Sequence, residues 1–321
     1  MANNNKLRVG IIGLGMVGDP IRRWFEEMKG YVRGKDLFCF DVDIKKGFND
    51  DINNADIIFV SVPTPSPKGG GADISIVENA VKTIRDGKTV VIKSTVPPGT
   101  VETLQKKYPR KRFLFSPEFL TESQVWTDFM RPDRQILGPT EQGRADVKEV
   151  LSLMPMAPFS RPWSSDYTKK EVNATEAELA KYASNVFGYI KVIYGNILAD
   201  ISAGLSKQFG TVEYQNIREM IAADPRIGPA WLDVDHGNYS GAGGFCFPKD
   251  MNAMIAFVED DLIPKVKDKG LKATLKHGMN VLKSIRTYNR ELLKWQGLTE
   301  ESMSQHDREI NVAKRKKIRN G

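Results

Sequence analysis

A glycine turn after the first apolar segment constrains this chain more than any other feature. Residues 9–12, Val-Gly-Ile-Ile, predict a buried strand, and residues 13–18, Gly-Leu-Gly-Met-Val-Gly, lead from it into a helix. Gly13 suits a tight turn, Gly15 leaves its main chain open to another molecule, and Gly18 lets the helix pack closely on the strand. A strand that enters a helix in this way indicates a parallel sheet covered by helices.

The alternation of strand and helix continues to about residue 154. Apolar runs predict strands near residues 7–12, 37–41, 56–62, 89–93, 112–115 and 134–137. Segments compatible with helices lie between most of these runs. The pattern predicts the α/β class, with an N-terminal Rossmann-like domain at residues 1–160 whose parallel sheet is doubly wound.

Residues 161–296 predict a second, chiefly helical domain. After a proline-rich link, apolar residues recur at helical spacing from Asn173 to about Lys207 and predict one long central helix. That helix is apolar on more than one side, which favours packing against a second subunit and hence a homodimer. Further helices are expected at residues 211–222, 249–258 and 271–296. Residues 297–321 are polar and basic and are expected to form a tail.

Composition and charge argue against several function classes. The formal charge is +7, but residues 306–321 hold six Lys or Arg against two acids, so the rest of the chain is nearly balanced. No basic stripe is interleaved with aromatic residues, and nucleic acid is therefore a disfavoured partner. No apolar run approaches the roughly 20 residues that span a bilayer, so no membrane association is expected.

The cysteine and histidine content bears on compartment and metal binding. Only Cys39 and Cys246 are present, which argues against a disulfide framework and favours the reducing cytoplasm. The first residues show no apolar segment of the signal-peptide type. The three histidines are scattered, and no cluster has metal-ligand spacing, so no metal is expected.

A second apolar strand indicates which ligand the glycine turn holds. Residues 37–40 are followed by Asp41, 23 residues beyond Gly18, where a carboxylate can accept a hydrogen bond from a ribose 2′-hydroxyl. Asp43 adds a second acid that would repel a 2′-phosphate. We therefore expect NAD rather than NADP, although two lysines just beyond Asp43 favour NADP mildly. An ordinary glycine-rich surface turn is the alternative.

A lone thiol lies in a second glycine-rich stretch, Gly243-Gly244-Phe245-Cys246-Phe247-Pro248-Lys249-Asp250. Pro248 suits the first turn of a helix, so Cys246 is expected just ahead of a helix N-terminus, where the dipole favours thiolate. Asp250 then comes one turn later on the same side. These neighbours favour a nucleophile over the alternative of a small buried hydrophobic residue.

Polar loops come after three of the predicted strands, at residues 63–65, 94–100 and 116–122. The carboxyl ends of parallel strands meet at one edge of a sheet, so these loops are expected to converge there. In the long helix, Glu178, Lys181 and Asn185 share one face.

Six motifs, in this order and spacing, resemble the UDP-glucose/GDP-mannose dehydrogenase family. They are residues 13–18, residues 94–100, residues 116–122, Arg131-Pro132-Asp133-Arg134, residues 178–185 and residues 243–250. The Pro-Glu-Phe-Leu and Pro-Asp-Arg elements resemble the UDP-glucose branch more than the N-acetylmannosamine branch.

The resemblance implies a four-electron oxidation of a nucleotide-sugar primary alcohol to a carboxylate, with two NAD+ consumed in succession. Cys246 would attack the intermediate aldehyde to give a thiohemiacetal, which is oxidised to a thioester that water hydrolyses. Catalytic roles are implied for Cys246, Lys181, Asn185, Asp250, Glu118 and Thr95.

Each implied role has a physical basis. Lys181 and Asn185 would stabilise the oxyanion of the tetrahedral states. Asp250 would accept protons, and Glu118 would activate the hydrolytic water. Thr95 would position that water and the nicotinamide.

The resemblance also implies two sets of binding residues. The NAD set is Gly13, Gly15, Met16, Val17, Gly18, Asp41, Pro63, Thr64, Thr95 and Glu122. The nucleotide-sugar set is Glu118, Phe119, Leu120, Lys181, Asn185, Arg226 and Gly243. Arg226 matches a position that reaches across a dimer interface.

The chain departs from the family after its middle domain. The family continues into a third domain that closes over the nucleotide, and nothing after Leu271 resembles the first strand of that domain. We therefore expect weak sugar-nucleotide binding, or a separate chain that supplies the missing domain. A dehydrogenase for GDP-mannose or another nucleotide sugar, and a non-catalytic NAD-binding protein, stay open as alternatives.

Overall fold

A computed structural model describes residues 6–67, 70–160, 172–235 and 239–303. The chain forms two compact units, the first made of Met1–Pro67 and Ala72–Lys181, the second of Lys68–Gly71 and Tyr182–Gly321. Among the described residues no helix is both long enough and apolar enough to cross a membrane.

The first unit contains a sheet and the helices that cover it. Its strands are β1 (Val9–Ile12), β2 (Leu37–Phe40), β3 (Ile57–Val60), β4 (Thr89–Ile92), β5 (Arg112–Phe115), β6 (Arg134–Gln135), β7 (Gly138–Pro139) and β8 (Phe159–Ser160). Its helices are α1 (Gly18–Arg23), α2 (Ser75–Thr83), α3 (Thr100–Lys107), α4 (Val125–Met130) and α5 (Val147–Leu153). Helix α6 (Ala174–Phe209) begins in this unit and continues into the second, which also holds α7 (Tyr214–Ala222), α8 (Phe247–Ala256), α9 (Lys269–Trp295) and α10 (Glu300–Met303).

The main sheet has six strands in the order β2-β1-β3-β4-β5-β7. The first five are parallel, with Val9 of β1 paired to Leu37 on one side and to Ile57 on the other. Every residue of β1, β3 and β4 is buried, because helices cover both faces, and the strands therefore read as nearly continuous apolar runs. The prediction of a doubly wound parallel sheet is confirmed.

The expected strand at residues 134–137 differs from the observed structure. It is replaced by β6, which pairs with β8 in a separate ribbon, and by β7, which runs antiparallel to β5 at the sheet edge. Pro139 has no N–H to donate, so β7 is suited only to an edge. Gly138 lies so close to the start of α6 that a Cβ would be 2.4 Å from the carbonyl oxygen of Asn173.

Cys39 lies in β2 and is completely buried in the apolar cluster on one face of the sheet. Burial raises the pKa of its thiol to about 12.

The second unit is helical, as predicted. Helix α6 runs two residues beyond the expected end at Lys207, and α8 begins at Phe247, two residues before the expected start, and passes into a π-helical turn, Phe257–Leu262. Gly297 ends α9 in the left-handed conformation, and the N–H of Leu298 donates to the carbonyl of Leu293 at 2.9 Å.

The first residues of the expected polar tail are folded onto α9. The short helix α10 comes after the left-handed turn, and Met303 is fully buried against Leu293 and Tyr239. Residues 304–321, which hold the basic run, lie outside the described residues.

Candidate active site

The glycine turn after β1 has the geometry that its sequence predicts. Gly13 has a φ of +88°, and a Cβ there would lie 2.7 Å from the carbonyl oxygen of Ser61. A Cβ on Gly18 would lie 1.8 Å from the carbonyl oxygen of Gly13, so the start of α1 can be only glycine. The space around Gly15 is open. The turn therefore leaves exposed main chain beside a helix start, which suits a pyrophosphate. Met16 and Val17, the other turn residues predicted to bind NAD, are half-buried.

Asp41 ties this turn to the end of β2. Its carboxylate accepts hydrogen bonds from Leu14 N–H at 2.7 Å, Asp43 N–H at 2.9 Å and Lys46 Nζ at 2.9 Å. Burial by itself would raise the pKa of Asp41, but these donors, with the charge of Lys46, outweigh it and lower the pKa. Asp41 is thus an anion that braces the turn, and Lys46 is a partner that the sequence did not identify.

Hydrogen bonds join the loops that come after β1, β3 and β4. The hydroxyl of Thr64 donates to the carbonyl of Thr95 at 2.8 Å, and the hydroxyl of Ser61 donates to the carbonyl of Gly13 at 2.8 Å. The first of these bonds joins the loops at residues 63–65 and 94–100, two of the three that were expected to converge at one sheet edge. Pro63 is exposed beside them, and Glu122 lies in a one-turn helix, Glu122–Gln124.

Three buried charged residues of the first unit, Lys93, Glu118 and Lys181, interact with one another. Lys181 Nζ is 3.1 Å from Glu118 Oε1, and the other carboxylate oxygen of Glu118 accepts from Leu120 N–H at 2.8 Å. Burial by itself would raise the pKa of Glu118, but the charge of Lys181, the bonds from Leu120 and Lys181, and the charge of Lys93 together lower it. Glu118 is therefore ionised at neutral pH, as a base must be.

Lys93 was not identified from the sequence. It comes directly after β4, is only 4% exposed, and donates to Ser116 Oγ at 3.1 Å and to the carbonyl of Pro117 at 3.4 Å. Burial lowers its pKa to about 8, although the charge of Glu118 acts in the opposite direction. Its position at the end of a buried strand was the available signal, since a side chain there points into a loop cluster.

Phe119 is flanked by cations. The guanidinium of Arg134 lies 3.8 Å from its ring centroid, and Lys181 Nζ lies 5.3 Å from the same centroid. The predicted substrate residues Glu118, Phe119 and Leu120 thus form one loop held by Lys93, Arg134 and Lys181.

Glu178, one turn before Lys181 in α6, has a structural task. Its carboxylate is fully buried and accepts from the N–H groups of Gly99 at 2.5 Å and Val101 at 2.8 Å at the start of α3. Burial raises its pKa to about 8, against the opposing effect of these two bonds. Glu178 caps α3 and fixes the loop that carries Thr95.

In the second unit, Cys246 occupies the position that its sequence predicts. It occupies the N-cap position of α8, Pro248 lies in the first turn, and Asp250 N–H donates to the carbonyl of Cys246 at 2.8 Å. The thiol is partly exposed. A helix N-terminus stabilises negative charge on sulfur.

Asp250 is held by two donors. It is completely buried and accepts from Asn185 Nδ2 at 2.5 Å and from Lys249 Nζ at 2.5 Å. Lys249 supplies a counter-charge that the sequence pattern did not indicate. One turn after Asn185, Gly188 provides room for the ring of Phe247, 2.6 Å from where a Cβ would be. Helix α6 therefore fixes the start of α8 with a hydrogen bond and a close packing contact.

Gly243 and Arg226, two residues predicted to bind the substrate, both contact other residues of this chain. A Cβ on Gly243 would lie 2.4 Å from the hydroxyl of Tyr239, so the chain itself makes the close approach. Arg226 is exposed and pairs with Asp224 of its own loop at 2.6 Å. Their substrate roles stay predictions.

Five of the six predicted catalytic residues thus lie in two clusters, one in each unit, and the sixth, Thr95, lies in the loop after β4, where it accepts from Thr64. Glu118 lies beside Lys181 in the first, and Asn185 lies beside Asp250, one turn after Cys246, in the second. The residues that sequence reasoning missed are mainly lysines, because a lysine in a sequence usually indicates a solvated surface.

Comparison with known proteins identifies the family. Residues 32–152 match the NAD-binding domain of the UDP-glucose/GDP-mannose dehydrogenase family, and residues 175–289 match its central domain. UDP-glucose 6-dehydrogenase of Rickettsia typhi is 33% identical over 237 residues, which cover 71% of this chain and 50% of the relative. UDP-glucose 6-dehydrogenase TuaD of Bacillus subtilis is 30% identical over 292 residues, which cover 77% of this chain and 58% of the relative.

The fold agrees with the sequence match. A UDP-glucose dehydrogenase structure from Pyrobaculum islandicum superposes with a TM-score of 0.70 at 24% identity, covering 92% of this chain and 71% of that one. The chain spans about half the length of the curated relatives it matches. Together the two family matches take in well over half of the chain, which therefore belongs to the UDP-glucose/GDP-mannose dehydrogenase family.

Proposed function

We propose that this chain is an NAD-dependent nucleotide-sugar 6-dehydrogenase that acts on a UDP-hexose, with UDP-glucose as the favoured substrate and UDP-glucuronate as the product. The observation that carries the proposal is Cys246 at the N-terminus of α8, followed one turn later by a buried Asp250 that two donors hold. The family match and the relatives named UDP-glucose 6-dehydrogenase support the substrate class.

The residues of the first unit fit the cofactor. The open main chain at Gly15 suits the pyrophosphate, and Asp41 is ionised beside the turn where a ribose hydroxyl would bind. When bound, NAD supplies the hydride acceptor for each oxidation. Thr64 and Thr95, which the hydrogen bond between them holds together, would line the nicotinamide end.

Cys246 makes and breaks the covalent bond. The first oxidation removes a hydride and a proton from the C6 alcohol and leaves an aldehyde. The sulfur of Cys246 adds to the aldehyde carbon, and the carbonyl oxygen takes up the proton to give a thiohemiacetal. Removal of a second hydride and proton gives a thioester, and water then cleaves the carbon–sulfur bond to release the acid and restore the thiol.

The remaining residues manage protons and charge. Lys181 and Asn185 lie one turn apart on α6 and would donate to the oxygen that becomes negative at C6. Asp250 would accept the protons released at C6, and its donors Asn185 and Lys249 keep its carboxylate in one orientation. Glu118 would take a proton from the hydrolytic water, since its lowered pKa keeps it ionised.

A homodimer through α6 is part of the proposal. Apolar side chains are exposed at intervals that keep them on one face of the helix: Phe187, Tyr194, Ile201, Leu205 and Phe209. Such a stripe suits a second copy of the same helix, because a two-fold interface pairs a surface with itself. Arg226 is exposed and is free to turn from Asp224 toward a substrate bound by a partner subunit.

The test is an NADH-formation screen of the purified chain with UDP-glucose, GDP-mannose and other nucleotide sugars. We expect UDP-glucose to give two NADH for each uronate formed. Cys246→Ala should lower uronate formation at least 1,000-fold and leave the dissociation constant for NAD within twofold, because the thiol acts only after the first oxidation. Cys39→Ala is the matched control and should be nearly silent, since that thiol is buried in β2.

Two outcomes would contradict the proposal. Uronate formation by Cys246→Ala at a rate comparable to the wild type would exclude the covalent route. NAD binding without turnover on any nucleotide sugar would favour a non-catalytic NAD-binding protein, and preferred turnover of GDP-mannose would replace the substrate.

A further inference from the structure

Helix α9 holds the backbone of the cysteine loop through the side chain of Asn289. The Nδ2 group of Asn289 donates to the carbonyl of Ala242 at 2.9 Å, and its Oδ1 accepts from Ala242 N–H at 2.8 Å. Asn289 is completely buried. Both backbone groups of a buried residue, which would otherwise be without partners, are thus satisfied by one amide.

Gln296 repeats this arrangement two turns later. Its Oε1 accepts from Ser240 N–H at 2.8 Å, and its Nε2 donates to the carbonyl of Ser240 at 2.8 Å. Positions seven residues apart lie on the same face of a helix. The two amides therefore hold alternate loop residues, Ser240 and Ala242, much as a neighbouring strand would.

The residue between them is shaped to this contact. Gly241 has a φ of +107°, and a Cβ on it would lie 2.7 Å from Asn289 Oδ1 and 3.4 Å from Leu292 Cδ2. The loop thus lies directly on α9, with only hydrogen at Gly241 to separate them.

The segment between Ala242 and Cys246 is short, and Gly243 within it lies against the hydroxyl of Tyr239. It consists of Gly243, Gly244 and Phe245, and two of these three are glycines, the residue with the greatest backbone freedom. On the other side of Cys246, α8 is fixed by Asn185 and Gly188 of α6. Cys246 is therefore held between two fixed points, the backbone of Ala242 on one side and the start of α8 on the other.

We propose that Asn289 and Gln296 are positioning residues for Cys246: their side-chain amides fix the backbone at Ala242 and Ser240 and thereby hold the thiol in the orientation that attacks the aldehyde. The inference rests on the proposed function for the reaction that it serves. Neither residue touches the reacting atoms, and both act through the loop.

The experiment compares three alanine variants of the full chain, one within α9 and one at each end of it. Asn289→Ala and Gln296→Ala remove the two amides, and alanine preserves helix propensity. Asp268→Ala is the matched control, because Asp268 caps the opposite end of α9 by accepting from Leu271 N–H at 2.7 Å. Each variant is measured for melting temperature, NAD dissociation constant, kcat and KM for UDP-glucose, amide hydrogen exchange, and the rate of maleimide labelling of Cys246.

We expect the variants at 289 and 296 to disturb the orientation of the thiol and to leave cofactor binding intact. Asn289→Ala should lower kcat at least tenfold and Gln296→Ala about threefold, with the NAD dissociation constant within twofold of the wild type. The amides of Ser240 and Ala242 should exchange at least 100-fold faster, and Cys246 should label at least fivefold faster because the freed loop exposes it. Asp268→Ala should lower the melting temperature and leave kcat and labelling within twofold.

Labelling and exchange keep the inference separate from the proposed function. If the wild type turns over no nucleotide sugar, the proposed function fails, and the labelling and exchange rates still decide whether α9 positions the thiol. The inference is overturned if both amide variants match Asp268→Ala in exchange at 240–242 and in labelling of Cys246. It is also overturned if exchange accelerates while kcat stays at the wild-type value. Should Asn289→Ala fail to fold, Gln296→Ala, at a half-buried position, still tests whether these side-chain amides position the thiol of Cys246.

Discussion

Three charged side chains in the first unit show how burial changes chemistry at single residues. Lys93 and Lys181 both act on the carboxylate of Glu118, and the pKa of Glu118 is lowered. Because the pKa of Lys93 is about 8 when folded and 10.5 for an ordinary lysine, its burial costs stability below pH 8, and that cost disappears as the pH rises toward 10.5. Glu118 thus stays ionised beside Lys93, whose own charged form is destabilised by burial.

Asp41 should determine both the affinity for NAD and the preference for NAD over NADP. Asp41→Ala should weaken NAD binding by about 1.5–3 kcal/mol, since a hydrogen bond from a ribose hydroxyl to a charged group is lost. The preference for NAD over NADP should narrow, because an acid that repels a 2′-phosphate is gone. Titration calorimetry with both cofactors measures the two effects.

Lys46→Ala provides the control for this change. It removes the 2.9 Å ion pair to Asp41 and leaves the carboxylate and its bond to Leu14 N–H in place, so NAD binding should persist. Unchanged NAD affinity in Asp41→Ala would place the ribose elsewhere.

The roles of single residues were predictable from the sequence where backbone geometry or neighbouring residues required that residue type. Gly13 and Gly18 are required by a positive φ and by a helix start that contacts the turn, and Cys246 is marked by the proline two residues later. Asn289 carries no such local signal, and Lys93 carries only its position directly after a buried strand. Their roles depend on burial by segments far away in the chain, which a single sequence does not reveal.

At the scale of elements, α6 does more than extend the second unit. Its first turns cap α3 through Glu178, and later turns fix α8 through Asn185 and Gly188. A helix of 36 residues that carries functional side chains needs such fixed points, since its own hydrogen bonds set only its internal geometry.

Glu178 should make the free energy of unfolding depend on pH. Its folded pKa of about 8 exceeds the 4.5 of a free glutamate, so the folded state binds the proton more tightly. This contribution is complete below pH 4.5 and is lost as the pH rises through 8. We expect the free energy of unfolding of Glu178→Gln, relative to the wild type, to increase steadily between pH 5 and pH 8, because an amide does not titrate.

Urea unfolding at a series of pH values measures this difference. The window lies below pH 8, where Lys93 is still mostly protonated, so the two buried groups are separable. A constant difference across the range would mean that the bonds from Gly99 and Val101 keep Glu178 ionised throughout.

The elements themselves were predictable to within about two residues where the apolar pattern was long. Strands β1 to β5 and helices α6 and α9 fall at the expected places. The expectation for residues 134–137 was wrong because the apolar Ile136 and Leu137 lie between two short strands that have different partners. Such pairing depends on tertiary contacts, here the crowding of Gly138 against α6, and not on the run itself.

The exposed apolar stripe of α6 predicts the oligomeric state of the whole molecule. Phe187 and Tyr194 are 59% and 53% exposed, which is costly for aromatic side chains in water. The wild type should sediment as a dimer. Phe187→Glu and Tyr194→Glu should shift it to monomer, because a charge placed at a two-fold interface meets its own copy.

Val281→Glu is the matched control, since Val281 is 59% exposed on α9 and lies outside the stripe. It should sediment like the wild type. A monomeric wild type at micromolar concentration, or glutamate variants that remain dimers, would exclude α6 as the interface.

The burial of Cys39 decides how this protein responds to oxidants. With a pKa of about 12, only about one molecule in 10⁵ carries that sulfur as thiolate at pH 7, and peroxide reacts with thiolates. Of the two thiols, the partly exposed Cys246, the residue on which turnover is proposed to depend, should therefore be oxidised first. Loss of activity under peroxide should then follow the oxidation of Cys246 and not that of Cys39.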